Sequence, residues 1–306
     1  MRISVTDRCN LRCRYCMPEP IDALGHGEIL RYEEILRICR TASELGIRKF
    51  KVTGGEPLVR ADCVSFIAAL KRQSGTEQVT LTTNGLLLGK NLDALAAAGL
   101  DGINISLDSL NAERYTRISG HPEGAELLKR IMQAVEDACA MGLRTKLNAV
   151  LLEETEEDAP ELASIAEELP VDVRFIELMP MLDHPEFGPE AFIPCAAVLE
   201  KLPQAVPVPQ DGGVARLYRL PGAQGNIGLI SPVSAHFCAA CNRIRLTADG
   251  KLKPCLHSDA ELALRGLSGA ELEAAIRRGI LMKPARHRMD ETGVTETHRG
   301  MFAIGG

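Results

Sequence analysis

Short apolar runs alternate with longer amphipathic segments over the first 180 residues of the chain. The short runs have the apolar pattern of β-strands, whereas the longer segments repeat apolar residues at helical spacing. The predicted strands are residues 3–6, 49–53, 79–83, 102–107, 145–151 and 173–178, and the predicted helices are residues 32–45, 61–73, 90–98, 124–141 and 158–168. Gly46, Gly99 and Gly142 follow predicted helices, where left-handed caps are expected. Six consecutive βα units predict an α/β fold with a parallel sheet.

The predicted strands end in glycine and polar residues. The second strand ends in TGGEP (53–57), the third in TTNG (82–85) and the fourth in SLD (106–108). In a doubly wound sheet and in a partial barrel alike, ligands gather at the carboxyl ends of the parallel strands. Both arrangements satisfy the pattern, and both predict one active-site mouth built from these strand ends.

The regular pattern breaks off early in the last third of the chain. Prolines and glycines lie close together within residues 203–213, where they interrupt helices and strands alike. We therefore predict a core domain of residues 1–209 and a smaller α+β domain of residues 210–306. The second domain opens with short predicted strands at 214–220 and 226–231.

Composition and charge narrow the class of protein. The chain has 306 residues, a formal net charge of −6 and no Trp, so it lacks the basic surface and the stacking platforms typical of nucleic-acid binding. No apolar run reaches the ~20 residues that span a bilayer. Ten cysteines without a signal peptide indicate reduced thiols and metal ligation. We expect a cytoplasmic protein that binds neither nucleic acid nor membranes.

Cys9, Cys13 and Cys16 form a C-x3-C-x2-C array directly after the first predicted strand. Three thiolates are one short of the four protein ligands of a structural zinc site or of an ordinary iron–sulfur cluster. Such a set is typical of a metal centre that keeps one position open for a ligand. A zinc turn that takes a fourth ligand from elsewhere, such as His26, is the alternative from spacing alone.

Cys238, Cys241 and Cys255 form a second array, C-x2-C-x13-C. The dipeptide Asp249-Gly250 lies between alternating runs and predicts a hairpin that folds Cys255 back toward Cys241. The array alone is equally compatible with a metal cluster and with a Cys3His zinc ribbon completed by His257.

Two arginines follow the second array. Arg243 and Arg245 are two residues apart, which places both guanidinium groups on one face of a strand. Paired guanidinium groups suit a phosphate or a carboxylate. The alternative is that both arginines lie on a solvent-exposed strand face. In a chain of net negative charge, however, a local pair of arginines favours a binding site for an anion.

Together these motifs resemble one enzyme family. They are the first array with Arg2 ahead of it, the TGGEP, TTNG and SLD strand ends, the second array with its Arg-x-Arg, and the terminal Gly305-Gly306. The family is the radical S-adenosylmethionine (SAM) GTP 3′,8-cyclases of molybdenum cofactor biosynthesis, and the resemblance covers nearly the whole chain. It implies a partial (βα)6 barrel of the TIM type, joined to the smaller C-terminal domain.

The resemblance also implies roles for individual residues. It implies two 4Fe–4S clusters, the first held by Cys9, Cys13 and Cys16 and the second by Cys238, Cys241 and Cys255. The residues implied to line SAM are Tyr15, Gly55, Ser106 and Met179. The residues implied to surround GTP are Arg2, Lys51, Thr82, Lys146, Arg243 and Arg245. The residues implied to act at the reacting atoms are Arg174, Gly305 and Gly306.

In the reaction that the resemblance implies, a 5′-deoxyadenosyl radical from SAM removes the hydrogen at C3′ of GTP, and C3′ then bonds to C8 of the same molecule. The product is (8S)-3′,8-cyclo-7,8-dihydro-GTP. The implied partners are a flavodoxin- or ferredoxin-type electron donor, a downstream cyclic pyranopterin monophosphate synthase and a second copy of the chain in a homodimer. Two other interpretations stay open: a radical SAM peptide-modifying enzyme with an auxiliary cluster, and a non-catalytic module with two zinc sites.

Overall fold

The computed structural model describes residues 1–17, 23–181, 186–209, 212–292 and 294–305. The strands are β1 (Arg2–Ser4), β2 (Lys49–Thr53), β3 (Gln78–Thr83), β4 (Gly102–Ser106), β5 (Thr145–Leu151), β6 (Asp172–Glu177), β7 (Val206–Pro207), β8 (Arg216–Arg219), β9 (Ile227–Ile230), β10 (Arg245–Leu246), β11 (Lys251–Lys253) and β12 (Leu262–Ala263). The helices are α1 (Tyr32–Glu44), α2 (Cys63–Lys71), α3 (Leu92–Ala97), α4 (Ala112–Ser119), α5 (Gly124–Ala140), α6 (Ala159–Glu168), α7 (Ala196–Lys201), α8 (Gly269–Leu281), α9 (Met289–Thr292) and α10 (Met301–Ile304).

The strands form one sheet in the order β12-β11-β10-β1-β2-β3-β4-β5-β6-β9-β8-β7. Neighbouring strands from β10 to β9 are parallel, and antiparallel strands extend both edges. Strands β1 to β6 follow one another in sequence order, so right-handed crossovers place their helices on one face. A doubly wound sheet reverses its strand order instead. The sheet has two edges and does not close, and the predicted partial barrel is therefore confirmed.

The two faces of the sheet differ in polarity. Register partners in parallel strands share a face, and Arg2 lies beside both Arg245 and Lys51. We use the term polar face for the side that carries Arg2, Lys51, Thr82, Asn104, Lys146, Asn148, Arg174 and Arg245. The opposite face carries Ile3, Val52, Leu81, Ile103, Ile105, Leu147, Val173 and Phe175, all fully buried in the core. Burial of these side chains against the helices stabilises the barrel and leaves the polar face for a ligand.

Helix α1 illustrates how the outer layer forms. Its buried residues include Ile35, Ile38 and Cys39, which recur at helical spacing and lie in the core beneath the sheet. Gly46 follows the helix with φ +91°, the left-handed conformation that the sequence predicts. Among the helices that the structure describes, none combines the length and the apolar character needed to cross a membrane.

The predicted core strands are confirmed. The strands at 49–53 and 145–151 match residue for residue, and the bounds of the other core strands shift by one or two residues. The sequence pattern did not predict α4, an eight-residue helix that buries Tyr115 and Ile118. Its amphipathic pattern is too short to stand out from the neighbouring loops.

The region after residue 209 extends the core sheet at both of its edges, since β9 pairs with β6 and β10 pairs with β1. The predicted hairpin is confirmed, because β10 and β11 pair antiparallel and Gly250 between them has φ +87°. The boundary between residues 209 and 210 stays a prediction, and residues 210 and 211 lie outside the described ranges.

Candidate functional site

The first cysteine array forms a loop that begins where β1 ends. Its three thiols are half-buried. The backbone N–H of Cys16 donates to the carbonyl of Cys13 at 2.9 Å, and the N–H of Met17 donates to the same carbonyl at 2.8 Å. The N–H of Leu11 points at Cys9 Sγ, 3.4 Å away. The loop backbone is therefore folded around the thiols and donates to one of them.

The three thiols share an environment that disfavours bare thiolates. Burial, followed by the charges of the neighbouring cysteines, raises the pKa of Cys13 well above its ordinary value. Burial and Cys9 raise the pKa of Cys16 to about 12. Burial also raises the pKa of Cys9. Three thiolates can coexist here only when a cationic centre compensates their charge, which is what bound iron provides.

A single zinc ion fits this loop poorly. Tetrahedral Zn–S bonds of about 2.3 Å place sulfur atoms roughly 3.8 Å apart. Within the described part of the chain, the three-residue set of potential ligands whose donor atoms all lie within 4.8 Å of one another is His236, Cys238 and His287. Neither three-cysteine array is such a set by itself, so neither array alone forms a compact site for one metal ion.

The turn after β2 packs directly on the cysteine loop. The N–H of Gly55 donates to the carbonyl of Thr6 at 2.8 Å, and the N–H of Glu56 donates to the carbonyl of Arg8 at 2.8 Å. A Cβ atom on Gly55 would lie 2.5 Å from the carbonyl oxygen of Arg8. Only glycine permits this approach, and it brings the turn against the residue that precedes Cys9.

Glu56 links this turn to the next strand end. Its fully buried carboxylate accepts hydrogen bonds from the hydroxyl of Thr83 at 2.9 Å and from the N–H of Asn84 at 2.7 Å. Burial raises the pKa of Glu56 to about 7, although these donors act in the opposite direction. The carboxylate therefore fixes the strand ends of β2 and β3 relative to each other.

Tyr15 lies between two cysteines of the loop and reaches the end of β4. Its hydroxyl donates to Asp108 Oδ2 at 2.8 Å, and Asp108 Oδ1 accepts from the N–H of Val150 at 2.8 Å. Burial raises the pKa of Asp108 to about 6. The carboxylate thereby couples the cysteine loop to β4 and β5, and it explains why the SLD strand end carries an acidic residue.

A row of cations crosses the polar face. Arg245, Arg2 and Lys51 are register neighbours on β10, β1 and β2. Burial, and then Arg245, Arg243 and Arg174, lower the pKa of Arg2 well below its ordinary value. Burial, and then Arg2, Arg174, Arg243 and Lys146, lower the pKa of Lys51 in the same way. These residues therefore lie close enough to repel one another, and the structure brings the predicted GTP cations together.

Asn104 stands at the centre of this group, on β4. In the amide orientation that satisfies its neighbours, the side-chain oxygen accepts from Arg174 Nη2 at 3.0 Å and from Lys51 Nζ. Lys146 lies on β5, three strands from Lys51 in the sheet order, and is paired with Asp172 at 2.7 Å. Part of its charge is thus already neutralised.

The second cysteine array lies between a short 3-10 turn and the end of β11. The turn comprises Cys238–Ala240, and the N–H of Cys241 donates to the carbonyl of Cys238 at 3.0 Å. Lys283 Nζ donates to the carbonyls of Arg243 and Pro254, each at 2.9 Å. Lys283 therefore ties together the two chain segments that carry Cys241 and Cys255.

Electrostatics favour a thiolate at Cys241. Burial alone would raise its pKa, but the backbone N–H and charge of Arg243, together with Lys283, lower the pKa below its ordinary value. His257, the proposed fourth zinc ligand, instead lies against the ring of His287, with ring centres 5.0 Å apart, and bonds to Thr295 Oγ1 at 3.3 Å. The arrangement does not favour the Cys3His ribbon.

The loop that leads to Cys238 is anchored by Glu177, the last residue of β6. Its fully buried carboxylate accepts from the backbone N–H groups of Val233 and Ser234, each at 3.0 Å, and from the N–H of Cys195 at 3.1 Å. A charged acceptor with several backbone donors is a strong local anchor. The second array is thereby positioned from the core barrel.

The C-terminal tail reaches the polar face. Arg245 Nη1 donates to the carbonyl of Gly305 and lies 3.4 Å from the carbonyl of Ile304. Gly305 has φ +78°, and a Cβ atom there would lie 2.4 Å from Thr53 Cγ2. The structure thus brings Gly305 to the end of β2, beside the predicted site. Gly306 lies outside the described residues.

The other predicted site residues lie on the same side of the barrel. Ser106 is the last residue of β4, Thr82 neighbours Asn104 on the polar face, and half-buried Met179 follows β6 by two residues. The roles that the resemblance implies for them stay predictions.

The sequence assigned no roles to several residues that shape the site: Glu56, Asn104, Asp108, Glu177 and Lys283. A signal existed for Asn104, since it interrupts the apolar strand GINIS at a position that the register places on the polar face. Glu56 and Asp108 lie in quoted motifs. Lys283 acts through tertiary contacts that no local pattern shows.

Comparison with known proteins decides the family. The family model of the radical SAM superfamily matches residues 3–166, and the one described as Molybdenum Cofactor Synthesis C matches residues 171–289. A protein of Alkaliphilus metalliredigens named GTP 3′,8-cyclase is 44% identical to this chain, over 100% of the chain and 97% of its own length. The chain belongs to the GTP 3′,8-cyclase family of radical SAM enzymes. Proteins of the same name from Moorella thermoacetica and Clostridium botulinum are 41% and 38% identical over the same shares of both chains.

Solved structures share the fold. SuiB of Streptococcus suis bound to S-adenosylmethionine has a TM-score of 0.66 at 16% identity, over 90% of this chain and 67% of that chain. Native anSMEcpe with bound AdoMet has a TM-score of 0.62 at 14% identity, over 96% of this chain and 82% of that chain. The family resemblance and the fold predicted from the sequence are both confirmed.

Proposed function

We propose that this chain converts GTP to 3′,8-cyclo-7,8-dihydro-GTP, the first step of molybdenum cofactor biosynthesis. The observation that carries the proposal is the group of cations on the polar face, in which Arg245 is buried, Arg2 and Lys51 are half-buried, and half-buried Arg243 lies nearby. Like charges held together out of water are unfavourable unless a ligand neutralises them. A triphosphate brings several negative charges to one place and would neutralise these cations. Because the chain as a whole has a net charge of −6, the cations are a local feature of this face and not part of a generally basic protein.

The first cysteine loop fits a 4Fe–4S cluster with one open iron, because it offers three thiols that need a cationic centre and do not by themselves form a compact site for one metal ion. When bound there, the reduced cluster and SAM supply the 5′-deoxyadenosyl radical that removes hydrogen from the substrate. Tyr15, Gly55, Ser106 and Met179 are the residues that would line SAM. Among them, Gly55 lets the turn after β2 lie against the loop backbone that precedes Cys9.

The second array fits another 4Fe–4S cluster through Cys238, Cys241 and Cys255, at the end of the barrel where β10 begins and β11 ends. This cluster would bind the guanine of GTP while the cations bind its phosphates. Arg174, held by Asn104, would lie near the transferred hydrogen. The barrel therefore positions the base, the ribose and the phosphates at once, which is the main catalytic contribution of the chain.

The reaction balances as an isomerisation. The C3′–H bond of GTP breaks, a C3′–C8 bond forms, and one electron and one proton complete the product. One further electron is needed to cleave SAM, so an external flavodoxin- or ferredoxin-type donor is required. A cyclic pyranopterin monophosphate synthase would consume the product.

Product analysis tests this proposal. The protein is reconstituted with iron and sulfide without oxygen and is then given SAM, GTP and dithionite. We expect 5′-deoxyadenosine together with an isomer of GTP, detected by mass spectrometry directly or as its pterin derivative after acid treatment. Formation of 5′-deoxyadenosine with unchanged GTP would contradict the substrate and favour a peptide-modifying enzyme, tested next with peptides. Absence of both products would contradict the chemistry itself.

Lys283→Met is expected to impair the second cluster selectively. The substitution removes the ammonium that donates to the carbonyls of Arg243 and Pro254, and so releases the segments that carry Cys241 and Cys255. Loss of such an outer partner typically lowers metal affinity by about 10- to 100-fold. The iron content should fall from about eight to about four atoms per chain, since each cluster holds four iron atoms.

The matched control is Arg278→Met, an exposed cation on the neighbouring helix α8. It should retain both clusters. A Lys283→Met protein that also retains both clusters would show that Lys283 has no part in the second site.

A further inference from the structure

The segment that precedes the C-terminal tail is fastened to the hairpin region. The N–H of Glu296 donates to the carbonyl of His257 at 3.1 Å. Lys253, which is fully buried, donates to Thr297 Oγ1 at 3.2 Å. These contacts hold residues 295–297 beside β11, so the chain leaves this region with a fixed direction.

Arg299 makes the last and strongest of these attachments. Its Nη1 and Nη2 lie 3.2 and 2.9 Å from the two carboxylate oxygens of Asp249. Its Nε and Nη2 lie 2.6 and 2.9 Å from the carboxylate of Glu261. The side chains of all three residues are only 16–20% exposed. A guanidinium fork bound by two carboxylates fixes orientation as well as distance.

The tail beyond Arg299 has little structure of its own to hold it. Helix α10 is four residues long, and a helix of one turn is unstable in isolation. It is held at its far end by Ile304, which is fully buried, and by Arg245, which donates to the carbonyl of Gly305. Arg245 also belongs to the cations proposed to bind GTP. Its hydrogen bond to the carbonyl of Gly305 can therefore form only while Arg245 is not bound to the phosphates.

We propose that Arg299, bound by Asp249 and Glu261, is a positioning residue that determines where Ile304 and Gly305 lie against the polar face. Two arginines, Arg245 and Arg299, hold the described residues 299–305 through their guanidinium groups. Of these two, only Arg299 lies outside the proposed GTP site. The tail can therefore stay in place when GTP engages Arg245. This proposal rests on the proposed function, in which the tail meets the substrate.

The test compares Arg299→Gln and Arg299→Lys with the reconstituted wild-type holoenzyme. Hydrogen–deuterium exchange of residues 300–305 is measured together with iron content, 5′-deoxyadenosine and the cyclic product. A displacement of about 1 Å at a reacting group can cost about 10²-fold in rate. We expect Arg299→Gln to exchange its tail faster and to lose about 10²-fold in product while retaining iron and 5′-deoxyadenosine formation. Arg299→Lys keeps the positive charge but lacks the guanidinium fork. Its tail exchange and product yield should lie between those of the wild type and Arg299→Gln.

The control is Arg277→Gln, which removes an exposed ion pair with Glu273 on α8 and should change none of these quantities. A second check adds Arg299→Gln to the double variant Asp249→Asn, Glu261→Gln. Because Arg299 acts through these carboxylates, the added substitution should have little further effect. Wild-type tail exchange in Arg299→Gln overturns the proposal, whether or not GTP is the substrate. The proposal is also overturned if Arg299→Gln loses iron and loses product and 5′-deoxyadenosine to the same extent. That result would mean that the substitution damages the structure as a whole.

Discussion

Lys51→Met should stabilise the protein without GTP and weaken the binding of GTP. Burial and four nearby cations lower the pKa of Lys51 well below its ordinary value. The folded state therefore disfavours the ammonium that the unfolded chain carries at pH 7, and the residue reduces the free energy of unfolding. Replacing a buried ion pair by apolar residues of similar volume is often neutral or stabilising by about 1–4 kcal/mol, and Lys51 is a half-buried cation repelled by its neighbours. A gain of this order in the free energy of unfolding is expected.

The effect on GTP has the opposite sign. A charge-assisted hydrogen bond to a phosphate contributes about 1.5–3 kcal/mol, so its loss weakens binding by roughly 10- to 150-fold. At a GTP concentration 100 times the wild-type Kd, ligand stabilisation should shrink from about 2.7 kcal/mol to about 0.4 kcal/mol when affinity falls 100-fold. Thermal unfolding of the anaerobic holoenzyme with and without GTP measures both quantities in one series.

The control for this pair of effects is Lys49→Met. Lys49 is exposed at the start of the same strand, outside the cation group. It should leave both the unfolding temperature without GTP and the GTP-induced shift near their wild-type values. If Lys51→Met lowers the stability of the GTP-free protein and leaves the GTP-induced shift intact, Lys51 is a structural cation and the site assignment fails.

Gly55→Ala should prevent assembly of the first cluster. The added Cβ would lie 2.5 Å from the carbonyl oxygen of Arg8 and 2.8 Å from that of Asp7. Both are backbone atoms, so the cysteine loop or the end of β2 must move. Overpacking of this kind typically costs about 1–3 kcal/mol. The displaced segment immediately precedes Cys9, and the thiols would lose their common orientation.

Iron and sulfide analysis, with the electron paramagnetic resonance signal of the SAM-bound cluster, measures this effect. We expect Gly55→Ala to lose that signal and SAM cleavage together, with a lowered unfolding temperature. Gly27→Ala is the matched control, because a Cβ there meets nothing within 4 Å. Full cluster loading and SAM cleavage in Gly55→Ala would show that the close approach of this turn does not matter.

Local sequence patterns sufficed for the core of the fold. Strands such as β2 and β5 alternate apolar and polar residues, and glycines such as Gly46 mark helix ends, so each element is encoded within a few residues. The strand-end motifs, the two cysteine arrays and the resemblance supplied most of the candidate site. The structure then placed Arg2, Lys51 and Arg245 side by side, as the proposed GTP site requires.

What the sequence did not reveal depends on contacts between distant segments. The pairing of β10 with β1, which brings Arg245 beside Arg2, joins residues more than 200 positions apart. The links made by Lys283 and Arg299 have the same origin, since an isolated Lys or Arg is usually a solvated surface residue. The partial neutralisation of Lys146 by Asp172 also appears only when β5 and β6 pair.

The measurement that tests the central claim most directly uses GTP carrying deuterium at C3′. The reconstituted protein is given this substrate with SAM and dithionite, and the 5′-deoxyadenosine is examined by mass spectrometry. We expect one deuterium in 5′-deoxyadenosine and a cyclised product that lacks deuterium at C3′. Unlabelled 5′-deoxyadenosine formed while GTP is consumed would contradict hydrogen abstraction from C3′, and with it the assignment of the polar face as the site that holds the ribose of GTP.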